Sequence, residues 1–309
     1  MVATRRSLIS LDDLSDSALR AIVERGAVLA RDGSTSRPLA GQVVGIYFRR
    51  TSTRTRTAFS AGALRLGAGI VSFGPGDLQL NTGESTEDTG RVLCGMLDVL
   101  VARTADDPGE MRVWAAQERM AVVNAMSADE HPTQALADLT TLTLRFGSVD
   151  GLRVLYVGEG NNTAVALALG LSRFPKTRLE LRTPPGYGLG RAVHDRARAW
   201  TASTGAVVSE RHDLDDLPTD FDVVYTTRWQ TTGTSKPDPD WRDVFGPFRV
   251  TEELMARQAG ALFMHDLPAH RGEEVVAEVL DGPAAIAFQQ AENKMYSAMA
   301  VLEWCSGGY

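Results

Sequence analysis

Residues 50–59 read Arg-Thr-Ser-Thr-Arg-Thr-Arg-Thr-Ala-Phe and follow the apolar run Val43-Val44-Gly45-Ile46-Tyr47-Phe48. Three arginines and a dense group of hydroxyls therefore stand where a buried strand should give way to a helix. A helix start exposes unpaired backbone N–H groups and the positive end of its dipole, so it can hold an anion. Ser52, Thr53 and Thr55 add hydroxyl donors, while Arg54 and Arg56 add forked, permanently charged ones. The group suits a phosphate dianion. Its plainer alternative is a solvated, capped helix start.

Three further clusters carry candidate chemistry. His131-Pro132-Thr133-Gln134 precedes a helix and sets an imidazole and a side-chain amide about one turn apart. His131 can donate to a carbonyl oxygen and Gln134 can accept from an amide NH₂, although a structural histidine fits the same pattern. His265-Asp266-Leu267-Pro268 follows an apolar strand pattern at 261–264, at the carboxyl end where open α/β sheets bind ligands. A turn shaped by Pro268 is the alternative there. Gly158-Glu159-Gly160-Asn161-Asn162 faintly resembles a dinucleotide loop, but Thr163 stands in place of the third glycine. Only Glu180 offers itself as a ribose-binding acid, so a nicotinamide cofactor is a minor reading.

These clusters need a scaffold, and short β-rich runs alternate with longer helical patterns. That alternation predicts an α/β fold of two doubly wound domains with mostly parallel sheets. Strands are expected near 42–48, 69–73, 98–102, 121–124, 152–158, 178–182, 222–226 and 261–264. Ser15 should cap a first helix whose Leu19, Ile22, Val23, Gly26 and Leu29 share a face. Helices are also expected over 57–66, after the anion loop, over 133–146, opened by Pro132, and over 293–304. The break 146–151 places the domain boundary, giving 1–148 and 149–288, with a C-terminal helix at about 289–309. Segment 227–249, with Trp229, Pro237, Pro239 and Trp241, is long for a connector and reads either as a substrate lid or as a structured surface loop.

Over 309 residues, 43% are hydrophobic and 23% charged, the balance of a soluble globular chain. A net charge of -7 without a long basic block argues against nucleic acid as a partner. No run approaches the ~18 apolar residues that cross a membrane, and residues 1–9 lack a signal-type core, so a cytoplasmic enzyme is expected. Cys94 and Cys305 show no metal-ligand spacing and read as two buried thiols.

Taken together, the motifs resemble the aspartate/ornithine carbamoyltransferase family, closer to its ornithine type, over nearly the whole chain. The matching pieces are Ser52-Thr53-Arg54-Thr55-Arg56, Gly83-Glu84-Ser85 with Asp88-Thr89, His131-Pro132-Thr133-Gln134, His265-x-Leu267-Pro268-Ala269-His270-Arg271-Gly272-Glu273-Glu274, and Gln290-Ala291-Glu292-Asn293. The resemblance implies a first domain that binds carbamoyl phosphate, a second that binds the amine, and a last helix that packs back on the first. It also implies a homotrimer with active sites shared between chains, and no cofactor or metal. Carried over residue by residue, Ser52, Thr53, Arg54 and Thr55 would hold the phosphate, with Thr55 also near the carbonyl oxygen. Arg103 and His131 would polarise that carbonyl, Gln134 would orient the carbamoyl NH₂, and Gln79 would serve the neighbouring chain's site. Lys294 stands where the family has an arginine, keeping the charge without the fork.

The amine-binding half matches neither parent pattern. Thr227-Arg228-Trp229-Gln230-Thr231-Thr232-Gly233 stands where ornithine enzymes have Asp-x-x-x-Ser-Met-Gly, and Thr227 replaces the aspartate that grips the substrate's α-amino group. Losing such a charge-assisted partner costs roughly 1.5–3 kcal/mol. Arg228 and Gln230 resemble the Thr-Arg-x-Gln of aspartate enzymes, yet Asn162 replaces their second carboxylate-binding arginine and Thr82 their loop lysine. Asp266 replaces the cysteine of the ornithine-type His-Cys-Leu-Pro and becomes a candidate base beside Leu267. Arg49 stands where the ornithine-type loop is preceded by an acid. The expected acceptor is an amino-acid-like amine other than standard ornithine or aspartate, such as a diaminopropionate-like unit of specialised metabolism. The alternatives are a genuine ornithine enzyme with an altered pocket and a catalytically silent anion-binding paralogue.

Overall fold

A computed structural model describes residues 5–117, 119–231 and 234–309. Thr232 and Gly233 of the acceptor-side pattern, and the first four residues of the N-terminal segment, lie outside the described residues. The chain divides into two compact units, one of residues 1–144 with 292–309 and the other of residues 145–291.

The first unit holds strands β1 (Val43–Phe48), β2 (Gly69–Phe73), β3 (Val99–Arg103) and β4 (Ala121–Met126) in the order β2-β1-β3-β4. The second holds β5 (Arg153–Val157), β6 (Arg178–Arg182), β7 (Val207–Arg211), β8 (Val223–Thr226) and β9 (Leu262–His265) in the order β7-β6-β5-β8-β9. Every named ladder is parallel. The near-continuous apolar runs of β3, β4 and β8 are buried along their whole length, as parallel strands covered on both faces require. Strand β7 was not anticipated. Only Val207 and Val208 are apolar in it, and as an edge strand it is half-exposed, so its sequence carries no strong period.

The helix after β1 spans Arg54–Arg65 and so begins three residues before its expected start. Its Gly62 lets the terminal helix Ala287–Cys305 come close, since a Cβ there would meet Met299 Cγ at 3.0 Å. Arg25 holds Glu303 through two bonds of 2.6 and 2.9 Å, and Asn293 Nδ2 donates to Thr141 Oγ1 at 3.0 Å. These contacts seat the last helix, and with it Lys294, on the first unit. Cys305 is buried, and burial pushes its thiol up to about 12. Cys94 departs from the expected pair of buried thiols: it is half-buried at the end of helix Thr86–Leu93, beside exposed Val92 and Met96. Among the described residues, no helix is long and apolar enough to cross a membrane.

Candidate active site

In the first unit the chain leaves β1 for β2 on one side of the sheet and later returns to β3 on the other. The crevice outside the carboxyl ends of β1 and β3 is thus a switch point, where α/β sheets bind ligands. Phe48 and Arg103, the last residues of β1 and β3, are register partners. Arg49 N–H then donates to Arg103 O at 2.9 Å, and the Arg49 guanidinium binds Asp106 at 3.0 Å and Glu110 at 2.8 Å. Arg49 therefore bridges the loop after β1 to the one after β3.

The helix start at Thr53 has no side-chain cap, against the plainer expectation of a capped turn. Thr55 is buried and lines a small cavity with His131, Gln134, Lys294, Ala58 and Phe59. His131 is held at the start of helix Pro132–Phe146, and the residue before it is braced: Glu130 accepts from Ser10 Oγ at 2.6 Å and Leu11 N at 2.7 Å. Burial, together with the positive charges of Arg103 and Lys294, holds the His131 imidazole well below its ordinary pKa. It is a neutral ring that donates one N–H.

Gln134 is buried, and its Nε2 donates to buried Asp138 Oδ1 at 2.7 Å. Its Oε1 is buried without a hydrogen-bond partner. An acceptor in a buried site with no protein donor is what an incoming NH₂ group would satisfy. Asp138 escaped the sequence reading. Its only signal was the i, i+4 spacing to Gln134, which many helices share. Gln79 lies apart from this cavity, exposed on the turn Gln79–Thr82, where its Oε1 accepts from Thr82 Oγ1.

The second unit has its own switch point, outside the ends of β5 and β8. The loop after β5 carries Glu159, Asn161 and Asn162. Asn161 caps helix Asn162–Leu171 through its side-chain oxygen, and its Nδ2 reaches Thr231 Oγ1 at 3.1 Å. Gly160 is glycine because a Cβ there would lie 2.5 Å from Gly188 C, so the loop packs against residues 186–189. After β8, Thr227 is buried, Arg228 Nε donates to Gln230 O, and Gln230 Nε2 donates to Thr234 O at 2.9 Å. The Gln230 amide thus braces its own loop. After β9, His265 Nδ1 accepts from Leu267 N at 2.8 Å, which leaves Nε2 to donate to Glu274 Oε1 at 3.1 Å. Asp266 Oδ2 accepts from Thr163 Oγ1 at 3.0 Å. Leu267 takes a left-handed φ of 52° ahead of the cis Leu267–Pro268 peptide.

Two family models cover this architecture: the aspartate/ornithine carbamoyltransferase carbamoyl-P binding domain matches residues 6–143, and the Asp/Orn binding domain of that family matches residues 150–305. The chain belongs to the aspartate/ornithine carbamoyltransferase family. It is 38% identical to an ornithine carbamoyltransferase of Symbiobacterium thermophilum over 96% of each chain. The solved ornithine carbamoyltransferase from Pyrococcus furiosus superimposes with a TM-score of 0.91 at 33% identity, covering 100% of this chain and 99% of that one. The Gloeobacter violaceus enzyme gives 0.87 at 33% identity, over 98% and 99%. The protein is a carbamoyltransferase that uses carbamoyl phosphate and an amine, and its fold is that of the family.

Proposed function

We propose that the enzyme carbamoylates a primary amine of an amino-acid-like acceptor other than standard ornithine or aspartate, a diaminopropionate-like unit being one example. The observation that carries this reading is Thr227. A buried, uncharged hydroxyl stands where the ornithine-type pattern puts the carboxylate that pairs with the substrate's α-amino group. The relatives' name favours a second reading, ornithine itself in an altered pocket. Incubating the enzyme with carbamoyl phosphate and a panel of amino acids separates the two. Mass spectrometry follows the gain of one carbamoyl group, and released phosphate is counted beside it. Turnover of ornithine at or above every other acceptor would reject the first reading.

In this scheme the neutral amine attacks the carbamoyl carbon, the carbonyl oxygen gains negative charge, and the C–O bond to phosphate breaks. Ser52, Thr53, Arg54 and Thr55 bind the phosphate at the uncapped helix start, and they stabilise the charge that builds on it as it leaves. Arg103, Lys294 and neutral His131 place donors around the carbonyl oxygen, while Gln134 Oε1 accepts from the carbamoyl NH₂ and fixes the plane of attack. In the second unit, Asn162, Arg228, Gln230, Thr231 and Leu267 hold the amino-acid frame. Asp266 takes the proton that the ammonium must lose before it can attack. A cytoplasmic homotrimer in which Gln79 completes a neighbouring chain's site is part of the same proposal, tested by light scattering and by the kinetics of Gln79→Ala.

A further inference from the structure

Lys236 lies in the 227–249 segment and turns inward. Its side chain is 4% exposed, and its Nζ lies 2.5 Å from Glu159 Oε1. The ring centroids of Phe245, Tyr187 and Trp241 stand 4.9, 5.0 and 5.2 Å from that nitrogen. The rings also support one another, with Tyr187–Phe245 centroids at 4.7 Å and Trp241–Phe245 at 5.2 Å. An ammonium is costly to bury unless a counter-charge and π faces replace its water, and this site supplies both. The sequence offered no signal for the site, because Glu159, Tyr187 and the helix Trp241–Phe245 come from three separate stretches of chain.

What the pair joins gives it a role. Glu159 belongs to the loop after β5, next to Asn161 and Asn162, and Tyr156 Oη donates to its carbonyl at 2.6 Å. Gly160 N–H donates to Tyr187 O at 2.7 Å, so one cage wall is tied to the same loop. Lys236 closes the strap that leaves β8 and carries Thr227, Arg228, Gln230 and Thr231. The Asn161–Thr231 hydrogen bond is a second, weaker link between loop and strap. Removing the lysine would strand a half-buried carboxylate whose other oxygen is buried and already lacks a hydrogen-bond partner.

We propose that Lys236 is a positioning residue for the acceptor: its ion pair with Glu159, inside the Tyr187–Trp241–Phe245 cage, clamps the strap after β8 onto the loop after β5 and presets the acceptor pocket. This rests on the assignment of those two segments to acceptor binding. The pair acts at one remove: its loss works through the geometry of Asn162, Arg228 and Thr231.

The test is steady-state kinetics of the full-length enzyme, K236M, K236R, E159Q and the K236M/E159Q double variant, with both substrates varied. The acceptor is the best one found for the wild type. K236M should raise the acceptor KM about tenfold and leave the carbamoyl phosphate KM within about twofold, the split expected of a misplaced binding element. K236R, which keeps a cation over the rings, should recover most of that loss. The double variant should cost no more than K236M, because it removes the stranded charge. Should K236M fail to fold, E159Q carries the same comparison with the cage still filled. An unchanged acceptor KM in these variants, or an equal rise in both KM values, overturns the proposal while leaving the acceptor assignment intact. A wild-type enzyme that carbamoylates no amino acid overturns both.

Discussion

Asp138→Asn tests the carbamoyl-recognition geometry at a residue outside the lining of the cavity that Thr55, His131 and Gln134 share. A carboxylate only accepts, so Asp138 obliges the Gln134 amide to present Nε2 to it, at 2.7 Å, and to leave Oε1 for the ligand. An asparagine both donates and accepts, and it therefore tolerates the flipped amide, which would offer an NH₂ group to the ligand's own NH₂. The bond also falls from charge-assisted, about 1.5–3 kcal/mol, to neutral, about 0.5–1.5 kcal/mol. The difference, about 1–1.5 kcal/mol, corresponds to a loss of about five- to twelvefold in kcat/KM for carbamoyl phosphate. Initial rates with carbamoyl phosphate varied at saturating acceptor measure it. Melting curves show whether the variant is folded. The Asp138→Asn/Gln134→Ala double variant should be no worse than Gln134→Ala alone. Wild-type kcat/KM in folded Asp138→Asn, or fully additive losses, would refute the proposal that Asp138 acts through the amide.

Restoring the missing carboxylate with Thr227→Asp should raise ornithine turnover, measured as citrulline, by about 10–100-fold, the worth of one charge-assisted bond; no gain would show that residue 227 does not set the acceptor. His131 is neutral in the folded chain, because its pKa is held well below 6.5. The unfolded chain takes up that proton as the pH drops below about 6.5, so folding stability should fall there by up to about 1.4 kcal/mol per pH unit until the folded pKa is reached. Denaturant titrations from pH 7.5 to 5 should show a shallower decline for His131→Asn, and equal declines would contradict the neutral assignment. If Asp266 is the base, Asp266→Asn should lose turnover by ~10²–10⁴-fold and the acidic limb of its rate profile; an unchanged profile and rate would remove it from the chemistry.

Much of this was legible in the chain because the informative segments are local. Strands β1, β3 and β4 announce themselves as apolar runs, and the Ser52–Arg56 and His131–Gln134 groups sit at the sheet's carboxyl edge, as open α/β topology requires. Resemblance to the family added roles that no spacing shows, notably for Arg103 and Lys294. What escaped depends on three-dimensional meetings. Strand β7 gains its order from pairing with β6 rather than from its own mostly polar residues. The brace of Ser10 and Leu11 on Glu130 spans about 120 positions, a distance that a single sequence leaves silent. The cage around Lys236 needs two loops and a helix to converge, and Asp138 is one of several polar residues on its helix. Helix Arg54–Arg65 starts inside the anion loop at Thr53, which makes no side-chain cap, so the usual capping signal of a helix start is missing there.

Calorimetric titration of fresh carbamoyl phosphate into the wild-type enzyme and into Arg54→Ala is the most direct check. One anion site per chain at the mouth of the first sheet predicts saturable heat with a stoichiometry of one in the wild type. In Arg54→Ala it predicts affinity at least about tenfold weaker, the loss of one charge-assisted contact. Equal affinity in the two proteins, or no saturable heat in the wild type, would contradict it.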